Sequence, residues 1–413
     1  MRRSSKSSSN RLSADSQRMV SAAQGMVQSA SRVEERLWEH ALDSLLHKTL
    51  KGSHQESLDA ALDHLYRTDL AAYDALMEAI EAGSESCTVE HEGETWQVLL
   101  IAAPILAWTR FSIASGPIGE EMRTTLNAHL HGHLLADGAR LALAPTLYSI
   151  DQLPRTHAET YSLVHRMAQA AVKGTALRAP ASGQETAPFL ADTRYLLAAV
   201  AAPAGKPMFV WQADLNPAGR DQALERWRKQ AAPNIGTLLP GCGIELLMPE
   251  AYYIACREAD RQIRPISIRA AVHFLTNAIG IDASGLRAII GGFSEDGERV
   301  DEYRVGFTLR QNPEVIYGVV WPLYGQEDDE ETAANSFEGL TAPEVLETEL
   351  RTPVEEIVAL LRACGVTHIK RHTEHFPMEF CDDCGAPLYP DADAELVHAE
   401  MPEDVPTSTG HFH

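Results

Sequence analysis

The hydrophobic pattern leaves purely helical spacing near residue 85, and that change limits the chain to a helical region followed by sheet-bearing units. Val33, Leu37, Ala41, Leu45 and Leu46 recur at helical spacing, which puts one apolar stripe on a helix. Ser31 with Glu34 makes a capping-box pattern at its start, and Gly52 stops it. Leu58, Leu62 and Leu65, then Leu70, Tyr73, Leu76, Met77 and Ile80, keep the period either side of Thr68. The chain up to that point reads as wholly helical.

Beyond it, Cys87, Val89 and His91 alternate with polar residues, Glu92–Glu94 makes a glycine turn, and Trp96–Ala103 is almost continuously apolar. Alternation describes a strand with one wet face, and an unbroken apolar run describes a strand buried on both. Together they predict a hairpin whose second strand ends at Pro104. Glu120–Leu135 reads as a helix, Arg140–Ala144 as a buried strand stopped by Pro145, and His157–Val172 as a helix.

Lys173–Pro188, rich in Ala, Gly, Pro and Thr without apolar period, reads as a linker. After it, Arg194–Ala202 and Met208–Trp211 read as strands, Arg220–Gln230 as a helix, Gly243–Met248 as a strand ending at Pro249, and Ala270–Ile279 as a helix. Leu286–Phe293, Tyr303–Leu309 and Val315–Val320 read as three further strands. Thr352 as N-cap, Pro353 at the first helical position, Glu355 as capping partner and Gly365 as C-cap enclose another helix, followed by a short strand at Val366–Ile369.

The fold class expected is α+β or α/β: a helical N-terminal region, two or three sheet-and-helix units and a C-terminal half zinc ribbon. The corresponding stretches are a disordered basic arm over 1–12, the helical region plus first unit over 13–172, the linker 173–188, a second unit over 189–265, a third over 266–375, and a zinc-knuckle tail over 376–413. Pro104, Pro203 and Pro322 mark similar strand ends, and Pro145-Thr-Leu-Tyr148, Pro249-Glu-Ala-Tyr252 and Pro377-Met-Glu-Phe380 follow similar strands. These marks suggest a diverged threefold repeat, which requires the three segments to superpose.

At 413 residues and 45% hydrophobic, the chain can fill several cores. Its 35 Lys and Arg against 58 Asp and Glu leave a formal charge of -23, which opposes docking on a phosphate polyanion and makes nucleic acid a poor partner. The apolar stretches around Val98–Trp108 and Tyr195–Trp211 are too short or interrupted to span a bilayer, and the basic, Ser-rich start lacks the apolar core of a secretory signal. Six cysteines are too few for a disulfide scaffold, and Cys87, Cys242, Cys256 and Cys364 each stand alone in apolar surroundings. A reducing, cytoplasmic compartment fits.

The strongest chemical signal is Cys381-Asp-Asp-Cys384-Gly385. Two thiolates three apart on a tight turn, with glycine letting backbone amides face the sulfurs, form the knuckle that holds tetrahedral Zn2+. Residues Ala386–Tyr389, a turn over Pro390–Asp393, and Glu395–Ala399 then read as a small hairpin. The favoured completing ligands are His411 and His413, two apart and so on one side of an extended tail. His398 is the first substitute, and His372 and His375 are further candidates. A site closed by four protein ligands is structural. A thioredoxin-type role fits poorly, because Asp382 and Asp383 add negative charge, and Gly385 and Pro387 prevent a helix.

Other signals are weaker. The acidic run Glu327–Glu331 follows an apolar strand, where carboxylates of a metal-assisted hydrolase or transferase would collect, though such runs are mostly solvated connections. His129 and His133 share a helix face without a third ligand, and Ser112, Ser115 and Gly116 read as helix capping. Gly291-Gly292 reads as hairpin punctuation. No nucleophile-elbow, phosphate-loop or zinc-protease motif is present.

The segments RLSADSQR (11–18), LALAPTLYSIDQLPRT (141–156), YYIACREADRQIRP (252–265), YGVVWPLYGQEDD (317–329) and FCDDCGAPLYPDADAELVHAEMPED (380–404) resemble an uncharacterised family of betaproteobacterial proteins classed as a domain of unknown function. That resemblance spans most of the chain. It implies a cytoplasmic bacterial protein and a native His411-Phe-His413 ending, and it carries no activity to transfer. The reading that follows is a non-catalytic regulatory or adaptor protein with a structural Zn2+ and an unidentified protein or small-molecule partner, without nucleic acid or membrane. A metal-assisted enzyme using residues 327–331 is the alternative.

Overall fold

The computed structural model describes residues 12–178, 189–295, 297, 299–324 and 352–402. Four helices lead the chain: α1 (Ala14–Gln28), α2 (Arg32–Lys51), α3 (Gln55–Thr68) and α4 (Leu70–Glu85). Ser13, Ser31 and Asp69 cap three of them by accepting backbone N–H groups. Their apolar stripes meet around Met19, Leu42, Leu46, Leu58, Leu65 and Leu76.

β1 (Ser86–His91) and β2 (Glu94–Trp108) form the expected hairpin. Glu92 and Gly93 both take positive φ, 52° and 81°, as the tight two-residue turn requires. β2 does not end at Pro104. The Pro104 carbonyl accepts from the Leu247 amide at 2.9 Å. N and O of one strand residue face the same neighbour, so the donor that proline lacks points at the break between β6 (Gly243–Leu246) and β7 (Glu250–Ala251). Pro145 likewise lies inside β4 (Arg140–Ser149), at a register irregularity between Leu143 and Leu147. Both prolines occupy places where the ladder is already interrupted.

The first sheet has the order β1-β2-β5-β4-β3, with β6 and β7 also on β2, where β3 is Gly116–Pro117 and β5 is Ala191–Pro203. Every pair in it is antiparallel. β5 lies between β2 and β4, so strands from both sides of the 173–188 stretch share one sheet. Alternate side chains of β2 and β5 enter two cores. Leu100, Leu106, Tyr195 and Leu197 pack under α6 (His157–Lys173) and the first half of α9 (Tyr252–Ile279). Ile101, Ile105, Leu196 and Val200 pack under α5 (Glu120–Leu134) and α8 (Ala218–Leu238). Cover on both faces explains the unbroken apolar runs.

Several local expectations change. Met208–Trp211 is not a strand: the Gln212 side chain accepts the amides of Met208 and Phe209 at 3.0 and 3.1 Å and turns the chain into α7 (Val210–Ala213). α8 and α9 run through Pro233 and Pro265 and exceed their predicted lengths, because a long buried face outweighs one missing backbone bond. α5 starts at Gly119 without a side-chain cap. Gly116 belongs instead to β3, and neither Ser112 nor Ser115 caps the helix.

The second sheet has the order β10-β9-β8-β11, comprising β8 (Leu286–Ser294), β9 (Glu302–Leu309), β10 (Asn312–Pro322) and β11 (His368–Pro377). β11 pairs parallel to β8 after α10 (Pro353–Ala363), which carries the expected Thr352–Glu355 capping box. The second half of α9 and α10 cover one face through Ile268, Leu275, Ile357 and Leu361. The three proposed passes therefore make two main sheets with different pairing, and not three equivalent ones.

The other face receives the C-terminal tail, β12 (Tyr389–Pro390) paired with β13 (Leu396–Val397). Gly306 and Gly318 are directly opposite each other on β9 and β10. A Cβ at Gly318 would overlap the Tyr389 ring, and one at Gly306 would come within 3.0 Å of the Pro390 carbonyl oxygen. Gly291 stands beneath Phe376 and Pro390 in the same way, so it is part of the strand floor and not a turn. Arg304, fully buried, donates to the Glu302 carboxylate at 2.6 Å and to the carbonyls of Glu379 and Leu388, each at 2.7 Å.

Two outcomes follow. Gly318→Ala should loosen the tail by overpacking, by about 1–3 kcal/mol, and Tyr389→Ala should remove the overlap. Amide exchange at Tyr389–Val397 is then expected to show that the double variant loses less than the sum of the singles; additivity would sink the contact. Separately, burial lifts the Glu85 carboxyl to about 7, although the Tyr253 and Tyr252 amides at the start of α9 pull it down. The folded state then holds a proton that the unfolded chain, with its carboxyl near 4.5, releases. This contribution is present below about pH 4.5 and fades as pH rises towards about 7. Urea unfolding should therefore show Glu85→Gln gaining on the wild type between about pH 5 and about pH 8, by roughly 3 kcal/mol at most; a pH-independent difference rejects this.

Candidate metal centre

The knuckle begins where β11 ends. Phe380 and Pro387 form an isolated antiparallel bridge, and the Leu388 amide donates to the Glu379 carbonyl at 3.2 Å. Inside that neck the Cys381 amide donates to the Ala386 carbonyl and the Gly385 amide to the Cys381 carbonyl, both at 2.8 Å. Gly385 has φ of 73°, the left-handed conformation that glycine supplies at least cost. The turn brings the amides of Cys384 and Asp383 onto the Cys381 sulfur and holds its thiol below the usual value.

His398 follows β13 and completes the cluster. The Cys381 and Cys384 sulfurs and a His398 ring nitrogen lie within 4.8 Å of one another. Cys384 Sγ is 3.3 Å from His398 Nε2, close to the roughly 3.5 Å that separates sulfur and nitrogen ligands around one tetrahedral zinc. On the far side of the ring, Nδ1 is 3.4 Å from Glu400 Oε1. A carboxylate there favours a proton on Nδ1 and leaves the Nε2 lone pair directed at the sulfurs, the usual support of a metal-binding imidazole.

The hairpin that carries His398 is fixed locally. The Asp391 carboxylate accepts the amides of Asp393 and Glu395, both at 2.8 Å, and the Asp391 amide donates to the Glu395 carbonyl at 2.9 Å. Lys370 donates to the Ala392 carbonyl, His372 Nε2 lies 2.8 Å from the Asp391 carbonyl, and the Glu400 amide donates to the Val315 carbonyl at 3.0 Å. The second sheet thus holds this segment from both its edge strands, β11 and β10.

The structure brings together Cys381, Cys384 and His398, the substitute ligand of the sequence reading. His411 and His413 lie outside the described residues, as does the acidic run 327–331. His372 is bound to the hairpin turn and packs edge-on against Phe376, and His375 is exposed on β11; neither joins the cluster. On α5, His133 Nε2 is 2.9 Å from Gln230 Oε1, and burial lowers the pKa of His129 and His131. Among the described residues these histidines belong to no group of three ligands. Glu400 and Arg304 went unnoticed in the sequence, because their roles depend on partners that only the fold supplies.

The remaining cysteines contrast with Cys381. Burial pushes the Cys87 thiol up to about 11 and Cys256 up to about 12, and also raises Cys242 and Cys364. All six are unpaired. Thiolate character, which metal binding requires, is favoured at the knuckle and disfavoured at these four. Among the described residues no helix is long and apolar enough to cross a membrane.

Neither a curated protein nor a solved structure matches the chain. Residues 4–412 do match one family, described as "Protein of unknown function (DUF2863)". With nearly the whole length covered, the chain belongs to that family of unknown function.

Proposed function

We propose that this chain is a non-catalytic regulatory or adaptor protein of the cytoplasm whose C-terminal tail is closed by a structural Zn2+. The observation that carries the metal is the convergence of Cys381, Cys384 and His398 with Glu400 behind the imidazole. Two sulfurs and one nitrogen suit zinc better than the hard cations, which take oxygen ligands. His411 or His413 supplies the fourth ligand. His411 is nine residues past Pro402, about 30 Å of extended chain, enough to turn back to a site that Glu400 already touches.

A four-ligand site leaves no open position for substrate, which supports structure over catalysis. The hairpin is too small for a core of its own, and a metal is one of the few staples available to such a segment. Six unpaired cysteines agree with a reducing compartment. The carboxylates of Asp382, Asp383, Asp391, Asp393 and Glu395 disfavour nucleic acid on this surface. The partner is then a protein or a small molecule that the α/β units receive.

The test is elemental analysis of untagged protein, comparing wild type with Cys381→Ser, with His398→Ala and with a chain stopped before His411. One zinc per wild-type chain and loss in all three variants is expected. Chelation should at the same time speed amide exchange across Tyr389–Val397 while β8–β10 stay protected, as a stapling metal demands. Zinc absent from wild type overturns the site, zinc retained by the shortened chain overturns the terminal ligand, and unchanged exchange after chelation overturns the structural role.

A further inference from the structure

A second site lies away from the knuckle, where the end of β2 faces the C-terminal half of α9. Trp108, Arg110, Phe111, His273 and Phe274 line a cavity of about 700 Å³, within the roughly 300–1,000 Å³ range of small-molecule sites. Its rim is tied down. The Thr109 amide donates to the Leu190 carbonyl at 2.9 Å, and its hydroxyl to the Gly241 carbonyl at 3.0 Å. The Trp108 ring occupies the space over Gly243, where a Cβ would overlap it. A fixed aromatic wall such as Trp108 lowers the ordering cost of binding a flat molecule.

The charge of the lining runs against that of the chain. The protein carries 58 acidic residues and a formal charge of -23, yet no carboxylate lines this cavity among the described residues. Two other cavities do contain one, Asp43 in the first and Asp282 in the second, which shares His273 and Asn277 with this cavity. Arg110 is exposed, and its guanidinium is 5.2 Å from the Phe111 ring centroid. Among the described residues no carboxylate pairs with it, so its planar donor fork is available to an anion.

We propose that this cavity binds a small aromatic carboxylate, its ring between Trp108, Phe111 and Phe274 and its carboxylate on Arg110, with His273 beside it. The site stands whether or not the knuckle holds zinc.

Isothermal titration of the full chain with 2-naphthoate tests this, with 2-naphthalenemethanol as the uncharged comparison. Arg110 and Phe111 are surface residues, so Arg110→Gln and Phe111→Ala should fold, which circular dichroism checks. One-to-one binding of the carboxylate is expected, at least tenfold weaker for the alcohol and for Arg110→Gln, and weaker for Phe111→Ala. No heat with 2-naphthoate, equal affinity for acid and alcohol, or unchanged affinity in Arg110→Gln would each overturn the assignment.

Discussion

A guanidinium without exposed surface must find its partners inside the protein, and Arg304 finds them in the tail. Its charge is met by Glu302 on its own strand, but two of its hydrogen bonds go to the carbonyls of Glu379 and Leu388, the residues that close the neck of the knuckle. Its guanidinium carbon also lies over the rings of Phe293 and Phe380, 4.1 and 5.0 Å from their centroids. Removing the tail would take away both carbonyl acceptors and the Phe380 ring and open this guanidinium to solvent. The second sheet therefore dictates where the knuckle stands. The metal ligands have only to close a turn that is already placed.

The same economy governs the floor on which the tail rests. The paired Gly306 and Gly318, with Gly291 beside them, remove three side chains from the middle of a sheet. Glycine weakens strands, and here the lost packing is replaced by the Tyr389 ring, Pro390 and Phe376. On the opposite face, α9 reaches from the first sheet to the second, with Tyr252, Ala255 and Ala259 in one core and Ile268, Ala271, Val272 and Leu275 in the other. One helix thus fixes the relation between the two sheets, and Glu85 at the end of α4 holds its first turn.

What could be read from the sequence was whatever a residue's near neighbours decide. The caps at Ser31 and Thr352, the Glu92-Gly93 turn and the Cys381–Gly385 knuckle are all set within a few residues, and all appear where spacing puts them. His398 was visible as a ligand because the intervening segment reads as a hairpin. Non-local pairing was not visible. Nothing within Arg194–Ala202 says that it will separate β2 from β4, and Pro104 looks like a stop until β6 and β7 show that its missing donor faces a gap. Gly318 looked like an ordinary strand residue because its partner, Tyr389, is distant in sequence. Arg304 reads as a strand charge until the tail covers it.

Electrostatics separates the two sites in kind. Exposed charges act over about a Debye length, roughly 8–10 Å at physiological salt, so the formal charge of the whole chain does not decide what binds at a given place. At the knuckle, Asp382 and Asp383 flank the thiols. Their field favours a divalent cation and works against the stabilised thiolate that a redox cysteine needs, so the lowered Cys381 value has to come from the backbone amides of the turn. At the β2–α9 cavity no carboxylate is in the lining among the described residues, and Arg110 stands at the rim. Within a Debye length an entering carboxylate meets the Arg110 guanidinium, 5.2 Å from the Phe111 ring centroid, while the formal charge of the chain is screened.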